Sequence, residues 1–368
     1  MKILNLEISN FKAARRLQLH DLGDVVVVAG PNGCGKSCVL DAVRFLKSNY
    51  AGYRQQDEWR SYFSELQLNV DNPDEVLRLF YDRDKPITIS ADFAFSDSEV
   101  EFVAAIAKPR ILESLWKQQI TGRGRGPSDV SHGYDNLQEP SKGLEASAGE
   151  YAEQIIEELK RPVHKACVTL DTKPSLSTTP SLVLEFVFSI YDPANIGIID
   201  YHSPHRTYQR ERLGGINVNI EETAERLAQH ALFNWQGKYT NIKSELAAAF
   251  IRDLFIEKAG GSDARTPSIL KTMKELFEIF LPGKTFDGPR PGRKGELTFP
   301  VKLSSGGEHD IDDLSSGEKE LVYGYLRLRN VAPSNSIILL DEPELHLNPR
   351  LVLGLPNFYR KAFGVGIE

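Results

Sequence analysis

The most informative stretch of this sequence is VVVVAGPNGCGKS, residues 25–37. Its first part, residues 25–29, is a continuous run of small and β-branched side chains, which predicts a strand buried on both faces. The turn that follows fits the pattern GxxxxGK[ST], and a helix with a regular apolar face comes next. A strand, a glycine loop and a helix in this order predict a phosphate-binding loop in an α/β fold.

The loop residues and the residue after them are candidate nucleotide contacts: Gly30, Pro31, Asn32, Gly33, Cys34, Gly35, Lys36, Ser37 and Cys38. Glycines let the backbone wrap around a phosphate with its N–H groups turned inward, and the helix N-terminus adds a positive dipole end. We expect Lys36 to reach the β- and γ-phosphates and act in catalysis, and the Ser37 hydroxyl to hold Mg²⁺. Cys34 is interpreted as a small side chain beside the phosphates, so bulky alkylation should block nucleotide binding.

A second apolar run, SIILLDEP at residues 336–343, predicts a buried strand that ends in two carboxylates. Ligands of open α/β sheets bind at the carboxyl ends of strands. We therefore expect Asp341 to support Mg²⁺, directly or through water, and Glu342 to polarise the attacking water. Alone, this pattern would be an acidic turn, but with a phosphate loop it predicts ATP hydrolysis.

Two nearly identical strings follow one another, LSSGGE at residues 303–308 and LSSGEK at residues 314–319. The first runs into EHDIDD, whose carboxylates would repel a triphosphate, so we predict only the turn of an edge hairpin. The second precedes a segment with helical apolar spacing, whose first N–H groups would form an anion site. This second string supplies four further candidate nucleotide contacts: Ser315, Ser316, Gly317 and Glu318.

Together, GPNGCGKS, DLSSGEKE and ILLDEPELHLNP resemble the ABC-type ATPase heads of the SMC/RecF/OLD group. The tail ELHLNP most resembles the overcoming-lysogenization-defect (OLD) ATPases and their relatives in anti-phage systems of the Septu, Gabija and PARIS types. The resemblance is specific at residues 1–50 and 300–350. It implies ATP and Mg²⁺ as cofactors and a head-to-head homodimer with two composite sites. It also implies coupling to a nuclease or another toxic effector.

The resemblance carries over to a few further positions. Residues 344–348 would form a loop that communicates between the two sites, although His346 can equally be a packed loop histidine. Lys12 would lie near the nucleotide, or is a solvated lysine after a strand. Gln55 and Gln56 are candidates for the Mg²⁺-sensing glutamine.

One family feature is absent from the sequence, because no histidine follows His346 to serve as the switch histidine. We expect the chain to be truncated, since its end, GVGIE, resembles the approach to a further strand. The alternative is impaired hydrolysis.

The predicted organisation is a P-loop ABC-type head with a large mixed α+β insertion. The head comprises residues 1–94 and 291–368, and the insertion comprises residues 95–290 with a mobile loop at 121–149. Further strands are predicted at 2–9, 87–95, 165–171, 181–191, 196–200 and 296–303. Helices are predicted at 96–119, which a Ser96–Glu99 capping box opens, and at 150–160, 222–235, 239–258 and 266–280.

Composition narrows the classes of partner. The net charge of −7 argues against a protein that mainly coats nucleic acid, so such contacts would need local patches. No apolar run is long enough for a membrane helix, and the three cysteines suggest neither a disulfide framework nor a zinc site, so we expect a cytoplasmic protein.

The segment at 200–215 is rich in arginine, histidine and tyrosine. It could contact nucleic acid or a partner, reach the nucleotide, or form a solvated loop paired with acids.

The function that these patterns favour is an ATPase that senses or regulates an effector in bacterial anti-phage defence. Two alternatives remain at this point, a RecF-like DNA-repair clamp and a scaffold that binds ATP without hydrolysing it. A transporter ATPase is disfavoured by the large insertion and by Glu318 at the end of the serine-glycine string.

Overall fold

The computed structural model describes residues 1–53, 58–121, 141–173, 175–206, 208, 228, 231–233, 238–239, 242–258, 269–292, 297–331, 335–345, 347 and 352. The chain divides into two compact units. The first comprises Met1–Ile199 and Ser334–Ile337, and the second comprises Asp200–Pro333 and Ile338–Glu368. The predicted division into a head and an insertion has other limits and stays a prediction.

The first unit is built on a five-stranded antiparallel sheet with the order β2-β1-β3-β4-β5. Its strands are β1 (Lys2–Phe11), β2 (Ala14–Leu19), β3 (Ile87–Ala94), β4 (His164–Leu170) and β5 (Leu176–Thr178). An apolar row crosses the sheet, because Ile8 faces both Leu17 and Ile89, and Ile89 faces Val168. The predictions of strands at 2–9, 87–95 and 165–171 are confirmed.

Helix α1 (Lys36–Tyr50) packs its apolar side on this sheet. The rings of Phe11 on β1 and Phe45 on α1 stack with their centroids 6.0 Å apart, and both side chains are fully buried. Burying one such ring contributes about 1.5–3 kcal/mol. The remaining helices of the unit are α2 (Glu58–Glu65), α3 (Pro73–Val76), α4 (Asp97–Thr121), α5 (Lys142–Leu159) and α6 (Leu182–Ser189).

The prediction of a buried strand at residues 25–29 is wrong. The segment is not part of any described strand, and its four valines are 39–74% exposed. A strand buried on both faces needs a paired neighbour for its N–H and C=O groups. No described strand pairs with this segment, so its apolar composition alone does not bury it.

Two predictions within the inserted region also need correction. Residues 181–191 were expected to form a strand, but residues 182–189 form helix α6, which Ser181 caps by accepting a hydrogen bond from the Leu184 N–H. The predicted mobile loop at 121–149 is replaced by helix α5 from Lys142 onward, and residues 122–140 lie outside the described part. The predicted capping box that opens α4 is confirmed by hydrogen bonds between Ser96 and Glu99.

The second unit has a core of helices packed against a small sheet. Its helices are α7 (Ile242–Lys258), α8 (Ile269–Phe280) and α9 (Ser316–Val331), as the sequence predicts within a few residues. The strands β7 (Lys284–Phe286), β10 (Pro300–Leu303) and β11 (Glu308–Asp310) form an antiparallel sheet of order β11-β10-β7. Strands β8 (Arg290–Pro291) and β9 (Leu297–Thr298) form a short pair. The predicted helix at 222–235 lies mostly outside the described residues.

A short two-stranded pair leads to the predicted acidic turn. It consists of β6 (Ile199–His202) and β12 (Ile337–Leu340). The Ile337 N–H donates to the Ile198 carbonyl at 2.8 Å, and the Asp341 N–H donates to the His202 carbonyl at 2.9 Å. Residue numbers increase in the same direction along both strands from the first of these hydrogen bonds to the second, so the pair is parallel. The predicted strand before the acidic pair is confirmed.

Within the part of the chain that the structure describes, no helix combines the length and the hydropathy that a membrane crossing requires.

Candidate nucleotide-binding site

The glycine loop has the backbone geometry that its sequence predicts. Gly33 has a φ of 81° and Gly35 a φ of 94°, a region that residues with a Cβ rarely adopt. At Gly30, an added Cβ would lie 2.8 Å from the Cys34 sulfur, closer than real contacts allow. The backbone of the loop therefore favours glycine at Gly33 and Gly35, and the Cys34 side chain lies over Gly30.

Helix α1 begins directly behind the loop with its first N–H groups free of side-chain caps. Its N-cap is Gly35, no side chain accepts a hydrogen bond there, and the first turn holds no acidic residue. The Lys36 ammonium bends back to the loop and donates to the carbonyls of Gly30 at 2.9 Å and Pro31 at 3.1 Å. The loop thus presents a helix N-terminus and a lysine together, both open to solvent.

Lys12 is not a freely solvated lysine. Its ammonium lies 2.5 Å from a carboxylate oxygen of Asp41 on α1, and its side chain is 20% exposed. It also lies over the ring of Tyr62 at 5.2 Å. The neighbouring residue Ala13 approaches the loop, since a Cβ on Gly35 would lie 3.4 Å from the Ala13 Cβ. Lys12 therefore braces the helix that follows the loop, and its proximity to a nucleotide stays a prediction.

The acidic pair occupies the end of strand β12, with its two carboxylates in different environments. Asp341 is buried, whereas Glu342 is exposed. Glu342 has a φ of 46°, in the left-handed region that costs a residue with a Cβ about 1–2 kcal/mol. A buried acid beside an exposed acid on a strained turn is consistent with one metal ligand and one group facing water.

Only the second serine-glycine string starts a helix, as predicted. Helix α9 begins at Ser316, and Ser315 caps it. The N–H and the Oγ of Ser315 both donate to Glu318 Oε2 at 2.9 Å, while the Glu318 N–H donates to Ser315 Oγ at 3.4 Å. This reciprocal arrangement is a capping box. The first string is the turn of the hairpin between β10 and β11, closed by the Leu303 N–H on the Gly307 carbonyl at 3.1 Å.

Glu318 is held by a second group besides the serine. The Lys284 ammonium lies 2.8 Å from its carboxylate. Burial acts to raise the pKa of Glu318, but the hydrogen bonds from Lys284 and Ser315 outweigh burial and lower the pKa below its usual value. The carboxylate therefore stays charged at the start of α9, where it accepts the hydrogen bond from the Ser315 N–H.

The basic, aromatic segment at 200–215 is described at residues 200–206 and 208, and these are largely buried. His202 lies between Tyr239 and Asp200, with ring nitrogens 2.6 Å and 3.1 Å from their oxygens. Arg206 pairs with the buried Glu320 on helix α9. The interpretation as a solvated loop is wrong for these residues, although pairing with acids is confirmed.

The proposed site residues fall in both units of the chain. The loop at 30–37 belongs to the first unit, and the acidic pair and the serine-glycine turn belong to the second. The sequence did not reveal three charged partners: Asp41, Lys284 and Glu320. Each forms an ion pair with a residue far from it along the chain, and no sequence motif links the two members of a pair. The candidates Gln55, Gln56 and His346 lie outside the described residues.

Comparison with known proteins gives one extensive match and several weaker ones. The family model AAA_15, described as AAA ATPase domain, matches residues 1–352. Among curated proteins, Uncharacterized protein MJECL10 of Methanocaldococcus jannaschii is 28% identical over 102 residues, which cover 26% of this chain. That match spans 43% of the length of the relative, less than half of it.

Among solved structures, this chain is similar to the SmcHead bound to the C-winged helix domain of ScpA, with 11% identity and a TM-score of 0.48 over 99% of this chain and 87% of the other. It is also similar to the SMC head domain from Thermotoga maritima, with 12% identity and a TM-score of 0.40 over 99% and 86%. A third is an Smc head domain with an extended coiled coil, bound to a ScpA C-terminal domain derived from Pyrococcus furiosus. Its identity is 12% and its TM-score 0.46, over 98% of this chain and 87% of the other. Likenesses at this level support no conclusion about function.

The family match covers both the glycine loop and the acidic pair, and it confirms the predicted fold class, a P-loop ATPase of the ABC type. The chain belongs to the AAA ATPase domain family.

Proposed function

We propose that this protein binds ATP with Mg²⁺ and hydrolyses it. The observation that supports this most is the uncapped N-terminus of α1 behind two left-handed glycines, with Lys36 beside it. Amide N–H groups and a lysine ammonium are the groups that bind phosphate oxygens. Family membership adds that such chains bind nucleotide.

The remaining roles follow from the chemistry of each side chain. The Ser37 hydroxyl and the Asp341 carboxylate are oxygen donors of the kind that Mg²⁺ prefers, and we assign them to the metal. When bound, Mg²⁺ neutralises charge on the β- and γ-phosphates. Glu342 is exposed at the strand end, and its carboxylate polarises the attacking water.

The serine-glycine turn is proposed to act on a second copy of the chain. Ser315 and Ser316 are exposed at the start of α9, and Gly317 and Glu318 are half-buried beside them. The N–H groups of this turn would donate to the γ-phosphate held by a partner copy, so that ATP closes a head-to-head homodimer. The resemblance to OLD-like ATPases supports this arrangement.

Hydrolysis is tested with a matched pair of substitutions. In Glu342→Gln, we expect ATP binding to remain and turnover to fall by roughly 100-fold or more, because the base is lost. Glu308→Gln is the control, since Glu308 is an exposed carboxylate on the hairpin in the same unit. Equal phosphate release by both variants would overturn the assignment, and it would favour a scaffold that binds ATP without hydrolysing it.

We further propose that the ATP-driven dimer regulates a separate effector, a nuclease or another toxin, in anti-phage defence. The support is the ELHLNP tail after the acidic pair, which resembles OLD-like proteins. Phage plating on cells that carry this chain with its neighbouring genes tests the proposal. We expect protection with the natural chain and none with Lys36→Ala, and equal plating on both strains would refute the defence role.

A further inference from the structure

Arg206 is a buried residue of the second unit that contacts the acidic turn. Its Nη1 donates to the carbonyls of Ser203 at 2.7 Å and Asp341 at 2.9 Å, and its Nη2 donates to the Glu342 carbonyl at 2.9 Å. The side chain is 3% exposed. One guanidinium therefore holds both backbone carbonyls of the acidic pair from the inside of the unit.

These contacts stabilise a turn that is strained. Glu342 adopts a φ of 46°, in the left-handed region that a residue with a Cβ rarely occupies. Hydrogen bonds from a charged donor are stronger than those between neutral groups. Arg206 donates two of them to adjacent carbonyls and so holds the backbone of the turn that carries Glu342.

Arg206 is in turn held by helix α9. Its Nε lies 2.6 Å from Glu320 Oε1, and the Tyr208 hydroxyl donates to the other carboxylate oxygen at 2.7 Å. Glu320 lies on the first turns of α9, the helix that Ser315 caps. Burial acts to lower the pKa of Arg206, but the charge and hydrogen bond of Glu320, together with Tyr239 and Tyr208, outweigh burial and raise the pKa.

We propose that Arg206 is a positioning residue that couples the serine-glycine helix to the Glu342 turn through Glu320. The inference rests on the proposed function, in which the start of α9 contacts the γ-phosphate on a partner copy. A shift of α9 on phosphate binding then moves Glu320, and Arg206 passes that movement to the carbonyls of residues 341 and 342. Hydrolysis thereby depends on an engaged partner without any contact between Arg206 and the nucleotide.

The test uses Arg206→Lys, Glu320→Gln and the double variant. Lysine keeps the charge but cannot span two carbonyls and a carboxylate in one plane. We expect kcat to fall roughly 10- to 100-fold, because a displacement of about 1 Å at the reacting centre costs that much. The KM for ATP should stay within about threefold, and the double variant should lose no more than either single variant, as coupled residues do. The control is Arg290→Lys, an exposed arginine with pairs at 3.5 Å and 3.8 Å.

A second readout does not depend on ATP turnover. Amide hydrogen exchange of the peptide that covers residues 339–345 should become faster in both single variants, while exchange in β1 and β3 stays unchanged. Unchanged exchange in this peptide would overturn the proposal, and so would faster exchange with a natural kcat, or losses that add up in the double variant. If the natural chain hydrolyses no ATP, the proposed function fails, and the exchange data still decide whether α9 and the turn are coupled.

Discussion

At the scale of single residues, Lys36 already makes contacts that a nucleotide would replace. Its ammonium is bound to two carbonyls of its own loop, Gly30 and Pro31, at 2.9 Å and 3.1 Å. Carbonyl oxygens are partial negative charges, and phosphate oxygens carry full charge, so a triphosphate should attract the ammonium away from them. Under the proposed function, the Lys36 ammonium therefore already lies against the loop that would receive the phosphates.

Replacing Lys36 by alanine should weaken ATP binding. Loss of a charge-assisted hydrogen bond costs about 1.5–3 kcal/mol, which raises the Kd about 10- to 100-fold. Equilibrium titration with a fluorescent ATP analogue measures this change. Lys302→Ala serves as the control, because Lys302 is exposed and pairs only with Asp287 among the contacts described for it. A Kd that does not differ between the two variants would contradict the role of Lys36.

Replacing a glycine by alanine should have opposite effects on stability at two positions, Gly35 in the glycine loop and Gly149 in helix α5. Gly35→Ala should lower the free energy of unfolding by about 1–2 kcal/mol, because φ is 94° there. Gly149→Ala should raise it by about 0.5–1 kcal/mol, because Gly149 lies inside helix α5 with no atom within 4 Å of an added Cβ. Urea unfolding measures both changes. Stabilisation by Gly35→Ala would show that the loop does not hold a left-handed glycine.

At the scale of elements, the sequence predicted those that carry their own start signals. Helix α4 was located by its capping box. Helix α9 was located by the helical apolar spacing after the second serine-glycine string, and its Ser315–Glu318 capping box is an addition from the structure. The prediction of a strand at 181–191 was wrong because the β-branched and aromatic residues of this segment favour a strand. What decides for a helix is distant: Glu158 accepts hydrogen bonds from Ser181 and from the Leu182 N–H, which stabilise the helix start. No single-sequence pattern contains that pairing.

The start of α9 should confer a pH dependence on stability. The folded pKa of Glu318 is lowered, so its contribution is present above the carboxyl pKa of the unfolded chain, about 4.3, and is lost as pH falls through the folded pKa. Glu318→Gln should therefore reduce the unfolding midpoint near neutral pH and converge with the natural protein in acid. Urea titrations between neutral pH and about pH 3 measure this.

The matched control for this pH dependence is Glu308→Gln, whose carboxylate is 57% exposed with one ion pair at 3.8 Å. It should leave the pH profile of stability close to the natural one. If Glu318→Gln and Glu308→Gln gave the same profile, the capping interaction of Glu318 would not stabilise the folded helix start.

At the scale of the whole molecule, the sequence supplied the parts of a nucleotide site but not their assembly. The loop around Lys36, the acidic pair and the serine-glycine turn were each located by a motif with a clear physical role. Their partners, such as Asp41 for Lys12 and Glu320 for Arg206, follow from the three-dimensional arrangement alone. At residues 25–28 the sequence predicted too much: the apolar composition predicted a buried strand, but these valines are exposed and pair with no described strand.

In the proposed dimer, two copies of the chain bind one triphosphate: the glycine loop of one copy holds it, and the serine-glycine turn of the other contacts its γ-phosphate. Ser315→Asp tests this assignment, because its added charge repels the γ-phosphate; the new carboxylate also faces Glu318, to which the Ser315 Oγ donates. The matched control is Ser305→Asp in the first serine-glycine string, which forms a hairpin turn and begins no helix. Because the first variant loses that capping contact, urea unfolding of both variants shows that each is folded before its mass is measured.

The most direct measurement is the molar mass in solution of the Glu342→Gln protein with ATP and Mg²⁺, by light scattering after size exclusion. We expect the mass to double on addition of ATP, to remain doubled when Ser305→Asp is added and to stay that of a monomer when Ser315→Asp is added. A mass that never changes with ATP, or a dimer that survives Ser315→Asp, would contradict the claim that two copies bind one triphosphate.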